Sequence, residues 1–133
     1  MKVVVHVDGG SRGNPGQAAA GAVVSTPEGE VLDEASELLG IATNNVAEYR
    51  GLLLGLARAR ALGATEVEVV GDSELIVKQV NGVYRVKHAD MRPLHAAAVE
   101  ALSGFERWRM RSVPRAQNAR ADALVNAALD AAR

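Results

Sequence analysis

The sequence predicts an α/β domain built on a mixed five-stranded sheet, three antiparallel strands followed by parallel ones, with helices flanking it. Three observations carry this. Before residue 40, three apolar runs are separated only by short turns rich in Gly and Pro, which leaves no room for helices between them and makes an antiparallel meander. After residue 43, helix-like and strand-like segments alternate, the pattern of parallel strands joined by crossover helices. The 133 residues show no repeat, linker or low-complexity stretch, so residues 1–133 read as a single domain large enough for its own core.

Met1 to Gly10 forms the first strand, a β-branched run (Val3, Val4, Val5, Val7) that ends on a carboxylate, Asp8. Gly13-Asn14-Pro15-Gly16 is a strong turn signal leading into the second strand, Ala18 to Ser25. Pro27-Glu28-Gly29-Glu30 turns the chain again, and Val31 to Leu39 returns as the third. Thr43-Asn44-Asn45 offers helix caps, and Asn45 with Glu48 has the spacing of a capping box. Val46 to Leu62 follows with helical spacing at Tyr49, Leu53 and Leu56, closed by Gly63. Thr65 to Val70 alternates as a strand, and Ser73 to Val80 reads as a short helix capped by Asp72 or Ser73. Asn81 to His88 is an irregular, mildly basic connector; Asp90 to Leu102 is an Ala-rich helix, Phe105 to Val113 a strand and Asn118 to Ala132 the last helix.

Composition narrows the chemistry. Hydrophobic residues make up 48% and aromatics only 3%, so aliphatic side chains and Ala fill the core. Cys is absent, which excludes disulfides, thiolate metal sites and cysteine nucleophiles. A net charge of -1 gives by itself no sign of a polyanion-binding protein. No signal-peptide pattern and no apolar run of membrane-spanning length is present, so a cytoplasmic protein without membrane contact is expected.

Four acids stand out. Asp8 and Asp72 each end a strand, and those two strands are joined through a helix, so they are expected to run parallel. Ligands of open α/β sheets bind outside the carboxyl ends of parallel strands. Glu48 in the first turn of the long helix and Asp122 early in the last helix are placed to reach the same mouth. Taken singly, Glu48 and Asp122 suit a helix N-terminus and Asp72 an N-cap, but these explanations leave Asp8 without a reason. Clustered carboxylates repel one another unless a cation joins them. Oxygen ligands of this kind suit Mg²⁺, and a pair of such ions is a known device for phosphodiester cleavage.

The stretches DGGSRGNPG (8–16), TNNVAEYRGLLLGL (43–56), GDSELIV (71–77) and NARADALVNAAL (118–129) resemble type 1 ribonuclease H in the family's order, and cover nearly the whole chain. The resemblance implies a ribonuclease-H-like fold and an endonuclease that cuts the RNA strand of RNA–DNA hybrids, leaving 5′-phosphate and 3′-hydroxyl ends. It implies that Asp8, Glu48, Asp72 and Asp122 are both the catalytic residues and the ligands of two Mg²⁺ ions, with Mn²⁺ able to substitute. By the same resemblance Gly9, Gly10 and Ser11 line the RNA strand together with Glu48, while Asn14, Thr43 and Asn44 face the DNA strand. Asn118 joins them as a substrate contact. A monomer with no obligate protein partner is expected.

This sequence departs from the family pattern twice. The long basic, Trp-containing handle of many relatives is replaced by the short VNGVYRVKHADMRP, so hybrid binding should be weaker and strongly salt-sensitive. The loop before the last acid, SVPRAQNARAD, lacks the family's His, and Arg115 is the best substitute. Arg107, Arg109 and Arg111 alternate with Trp108 and Met110, which reads as a solvated strand face over a core face. His6 is expected on the sheet, and His88 and His95 in solvent. The alternatives are a catalytically silent module of this fold that binds hybrid or double-stranded RNA, and a DNA-cutting relative such as an integrase. The complete acidic quartet argues against the first, and the DGG, TNNxAE and NxxAD context against the second.

Overall fold

A computed structural model describes residues 1–132. Its strands are β1 (Lys2–Gly13), β2 (Gly16–Ser25), β3 (Val31–Ala42), β4 (Glu66–Gly71) and β5 (Arg107–Ser112). The helices are α1 (Asn44–Ala61), α2 (Glu74–Val80), α3 (Arg92–Ser103) and α4 (Ala119–Ala131), the last preceded by a 3-10 turn at Arg115–Asn118. The sheet order is β3-β2-β1-β4-β5, antiparallel across the first three strands in the chain and parallel where β1 meets β4 and β4 meets β5. This is the expected architecture.

The hairpin is longer than its composition suggests. β1 runs on through Gly-Gly-Ser-Arg to Gly13, with Asp8 opposite Gly21 and Arg12 opposite Gln17, so Asp8 does not end its strand. Glycine and serine are poor strand formers alone, but the antiparallel ladder to β2 carries them. The parallel pairing to β4 stops earlier, at His6 opposite Val70. Asp8 therefore sits just past the end of the parallel ladder, where Asp72 leaves β4.

The main core lies between the sheet and α1, where Val3, Val5, Val7, Leu52 and Leu56 are at most 2% exposed. Alternation along β2 sends Ala22 and Val24 into this layer and Ala19 to the opposite face, against Val125 and Leu129 of α4. Helix α1 approaches β1 closely because glycines line the contact. A Cβ on Gly9 would overlap the Ala47 carbonyl, and one on Gly51 would overlap the Asp8 carbonyl. Thr43 caps α1, its hydroxyl accepting from the Val46 amide at 3.2 Å, in place of the expected Asn45 box. Glu48 consequently falls in the second turn of α1, beyond the reach of a first-turn dipole explanation. Ser73 caps α2, which leaves the Asp72 side chain outside that role.

On β5 the arginines face out and Met110 is buried, with Trp108 packed on the core edge. The arginine face is solvated as expected, and the structure adds ion pairs: Arg107 and Arg111 pair with Glu66 and Glu68 of β4 at 3.7 and 2.8 Å. His6 is partly buried on the sheet and His88 is exposed. His95 is not in open solvent as expected: its Nε2 lies 3.1 Å from the Gln79 carbonyl oxygen and its ring meets Tyr49 edge-on.

Candidate active site

Four elements deliver four acids to one cleft. β1 carries Asp8, α1 carries Glu48 on the face turned to β1, and the end of β4 presents Asp72. Each of these three offers a carboxylate oxygen, and the three oxygens lie within 4.8 Å of one another. Asp122, in the first turn of α4, closes the fourth side and lines the same cleft of about 340 Å³. The four acids the sequence singles out are thus neighbours, although they come from positions 8 to 122.

Electrostatics make the cluster costly in isolation. Asp8 is only 5% exposed, and its pKa is pushed up to about 7, first by desolvation and then by the charge of Asp72 and the hydrogen-bonding contact with Asp122. Glu48 rises to about 9, again by desolvation and then by Asp8 and Asp72. Carboxyls raised this far above their ordinary range ionise fully only where positive charge joins them. The donor set is all oxygen, with no thiolate or imidazole among it. It fits a hard divalent cation.

Arg115 is the cation nearest the fourth acid, its Nη2 donating to Asp122 Oδ1 at 3.2 Å from the 3-10 turn that leads into α4. The charge of Asp122, together with that hydrogen bond and the fields of Asp8 and Asp72, raises its pKa further.

The expected substrate contacts divide into two groups. Ser11, Asn14 and Asn44 form one linked rim: the Ser11 amide and hydroxyl donate to Asn44 Oδ1 at 2.9 and 3.0 Å, and the Asn44 amide donates to Asn14 Oδ1 at 3.0 Å. Thr43 adjoins them as the α1 cap, and Gly9, Gly10, Ser11 and Asn44 line the acidic cleft itself. Asn118 does not belong to this surface. It is 1% exposed, and its Nδ2 donates to the Val7 carbonyl at 2.8 Å, so it holds the framework and offers no contact to a ligand in solvent.

Two polar residues of the cleft are not singled out by the sequence, Arg12 and Asn126. The signal for Arg12 is strand parity: Asp8, Gly10 and Arg12 share one face once β1 continues to Gly13. Asn126 follows Asp122 by one helical turn and donates to the Asp122 carbonyl at 3.2 Å.

Comparison with known proteins agrees with this geometry. A family model described as reverse transcriptase-like matches residues 6–128. RNase H1 from Halobacterium salinarum superposes with a TM-score of 0.95 at 44% identity, covering 98% of each chain. This chain belongs to the type 1 ribonuclease H family. The N-terminal RNase H domain of a Mycobacterium tuberculosis protein, solved as a fusion with maltose binding protein, gives 0.96 at 53% identity over 99% of this chain and 96% of that one. The curated full-length M. tuberculosis relative, called a bifunctional protein, is matched over 99% of this chain but 36% of its own length, so this ribonuclease H chain spans about a third of it. LC11-RNase H1, solved in complex with an RNA/DNA hybrid, gives 0.93 at 41% identity over 98% of both chains. Among the described residues no helix is long and apolar enough to cross a membrane.

Proposed function

We propose that this chain is a divalent-metal-dependent endonuclease that hydrolyses the RNA strand of RNA–DNA hybrids to 5′-phosphate and 3′-hydroxyl ends. The observation that carries this reading is the carboxylate triad Asp8, Glu48 and Asp72, mutually within 4.8 Å beside Asp122 in an open cleft. The fit of LC11-RNase H1, a protein solved with such a hybrid, supports the choice of substrate.

Asp8, Glu48 and Asp72 would hold the metal, and Asp122 would complete the set on the side of the attacking water. Mg²⁺ is the favoured ion, two per site, with Mn²⁺ a workable replacement. When bound, the ions supply a water nucleophile at neutral pH and charge stabilisation for the leaving 3′ oxygen. The protein does the positioning. Packing of α1 on β1 through Gly9 and Gly51 fixes Glu48 against Asp8. The linked rim of Ser11, Asn14 and Asn44 offers polar groups to the duplex beside the acids. Selection for RNA requires a reader of the 2′-hydroxyl, which donates and accepts, and the Gly9–Ser11 backbone with Glu48 borders the cleft where it would lie. Arg115, paired with Asp122, would meet the phosphate of the departing product. All four acids come from this chain, which supports residues 1–133 acting as one domain without a partner subunit.

End-group analysis tests the chemistry. Products should carry a 5′-phosphate and a 3′-hydroxyl that a polymerase extends without phosphatase treatment. Products ending in a 2′,3′-cyclic phosphate would point to attack by the ribose itself and overturn the reading.

A further inference from the structure

We infer that Arg12 is a backbone-phosphate contact for the strand laid along β1, exchanging its pairing with Asp130 for the phosphate; the inference rests on the hybrid-binding reading above. Asp8, Gly10 and Arg12 follow one another on the same face of β1, and all three line the acidic cleft. Four residues of strand place Arg12 about 13 Å beyond Asp8, past the reacting phosphate but along the same ridge. A cleft floored by carboxylates repels a polyanion, and a cation at its far end offsets that repulsion. The Arg12 side chain remains 38% exposed, so its guanidinium is open to solvent and to a ligand.

The partner of Arg12 is unusual. Its Nη2 lies 2.6 Å from Asp130 Oδ1, and Asp130 sits in the last turn of α4, the helix end at which the dipole disfavours an acid. The pair crosses from the β1–β2 hairpin to the end of α4. An ion pair between two exposed side chains is weak, so a phosphate can compete for the guanidinium.

The test is hybrid binding measured by fluorescence anisotropy across a salt series in Mg²⁺, in an Asp72→Asn background that suppresses cleavage. Arg12→Ala should weaken binding several-fold and reduce the slope of log K against log salt by roughly one. Arg12→Lys should keep the slope, because the charge is kept. Asp130→Asn should tighten binding by about two- to five-fold, since nothing then competes with the phosphate for Arg12. An Arg12→Ala slope equal to the parent's, in a variant with an unchanged circular dichroism spectrum, would overturn the assignment. Failure of the parent itself to bind the hybrid would overturn the hybrid reading, and this assignment with it.

Discussion

Asn118 and Val7 are joined by a buried hydrogen bond of 2.8 Å, side-chain amide to main-chain carbonyl, across 111 positions of sequence. Val7 precedes Asp8, and Asn118 stands four residues before Asp122, so this bond sets the first strand against the helix that brings the fourth acid. Replacing Asn118 by Ala leaves the Val7 carbonyl buried and unpaired, at a cost of about 1–3 kcal/mol. The expected result is a melting temperature lower by about 4–12 °C and a reduced kcat even at temperatures where the variant is fully folded. An unchanged kcat would mean that the bond holds the fold without tuning the site.

Asp72→Asn should remove cleavage while sparing the fold. Loss of a proposed metal ligand would forfeit several kcal/mol of transition-state stabilisation, on the order of 10³-fold in rate. Since the amide also relieves repulsion with Asp8, the metal-free variant should melt no lower than the wild type. Wild-type turnover in this variant would exclude the site.

The raised pKa values of Asp8 and Glu48 set a pH dependence for the metal-free protein. A carboxyl raised on folding keeps its proton where the unfolded chain has lost it, so the native state binds more protons and stability falls as pH rises. The window opens near the ordinary values of 3.8 and 4.5 and closes as pH passes about 7 for Asp8 and about 9 for Glu48. Thermal melts in EDTA should therefore show Glu48→Gln gaining on the wild type from pH 5 to pH 9. Added Mg²⁺ should raise the wild-type melting temperature more at pH 9 than at pH 5, because the metal displaces those protons. A Glu48→Gln difference that is flat with pH would contradict the account of the cluster.

Arg115 pairs with Asp122 at 3.2 Å and is 77% exposed, so its contribution to stability is small. Its removal should act on turnover. Arg115→Ala is expected to lower kcat about ten-fold with little change in KM, whereas an unchanged kcat would leave it a solvated loop residue.

Much of the candidate site was legible because each acid is marked by its neighbours. Asp72 follows a β-branched run and a glycine, and Asp8 interrupts another such run. What the chain conceals are features set by tertiary partners. β1 was expected to stop at Gly10, yet its ladder to β2 carries it to Gly13 and turns Arg12 into the cleft. Asn118 resembles a surface polar residue until the Val7 carbonyl is found beneath it. Thr43 and Asn45 are equally plausible caps on local grounds, and the structure gives the role to Thr43. His95 lies in a helix that looks exposed by composition, but α3 turns it toward Gln79 and Tyr49.

The central claim is tested most directly by incubating the protein with an end-labelled RNA–DNA hybrid, duplex DNA and duplex RNA, each in Mg²⁺ and again in EDTA. The account predicts cutting of the RNA strand of the hybrid, abolished by EDTA, and no cutting of duplex DNA. An intact hybrid in both Mg²⁺ and Mn²⁺, or cleavage that persists in EDTA, would contradict it.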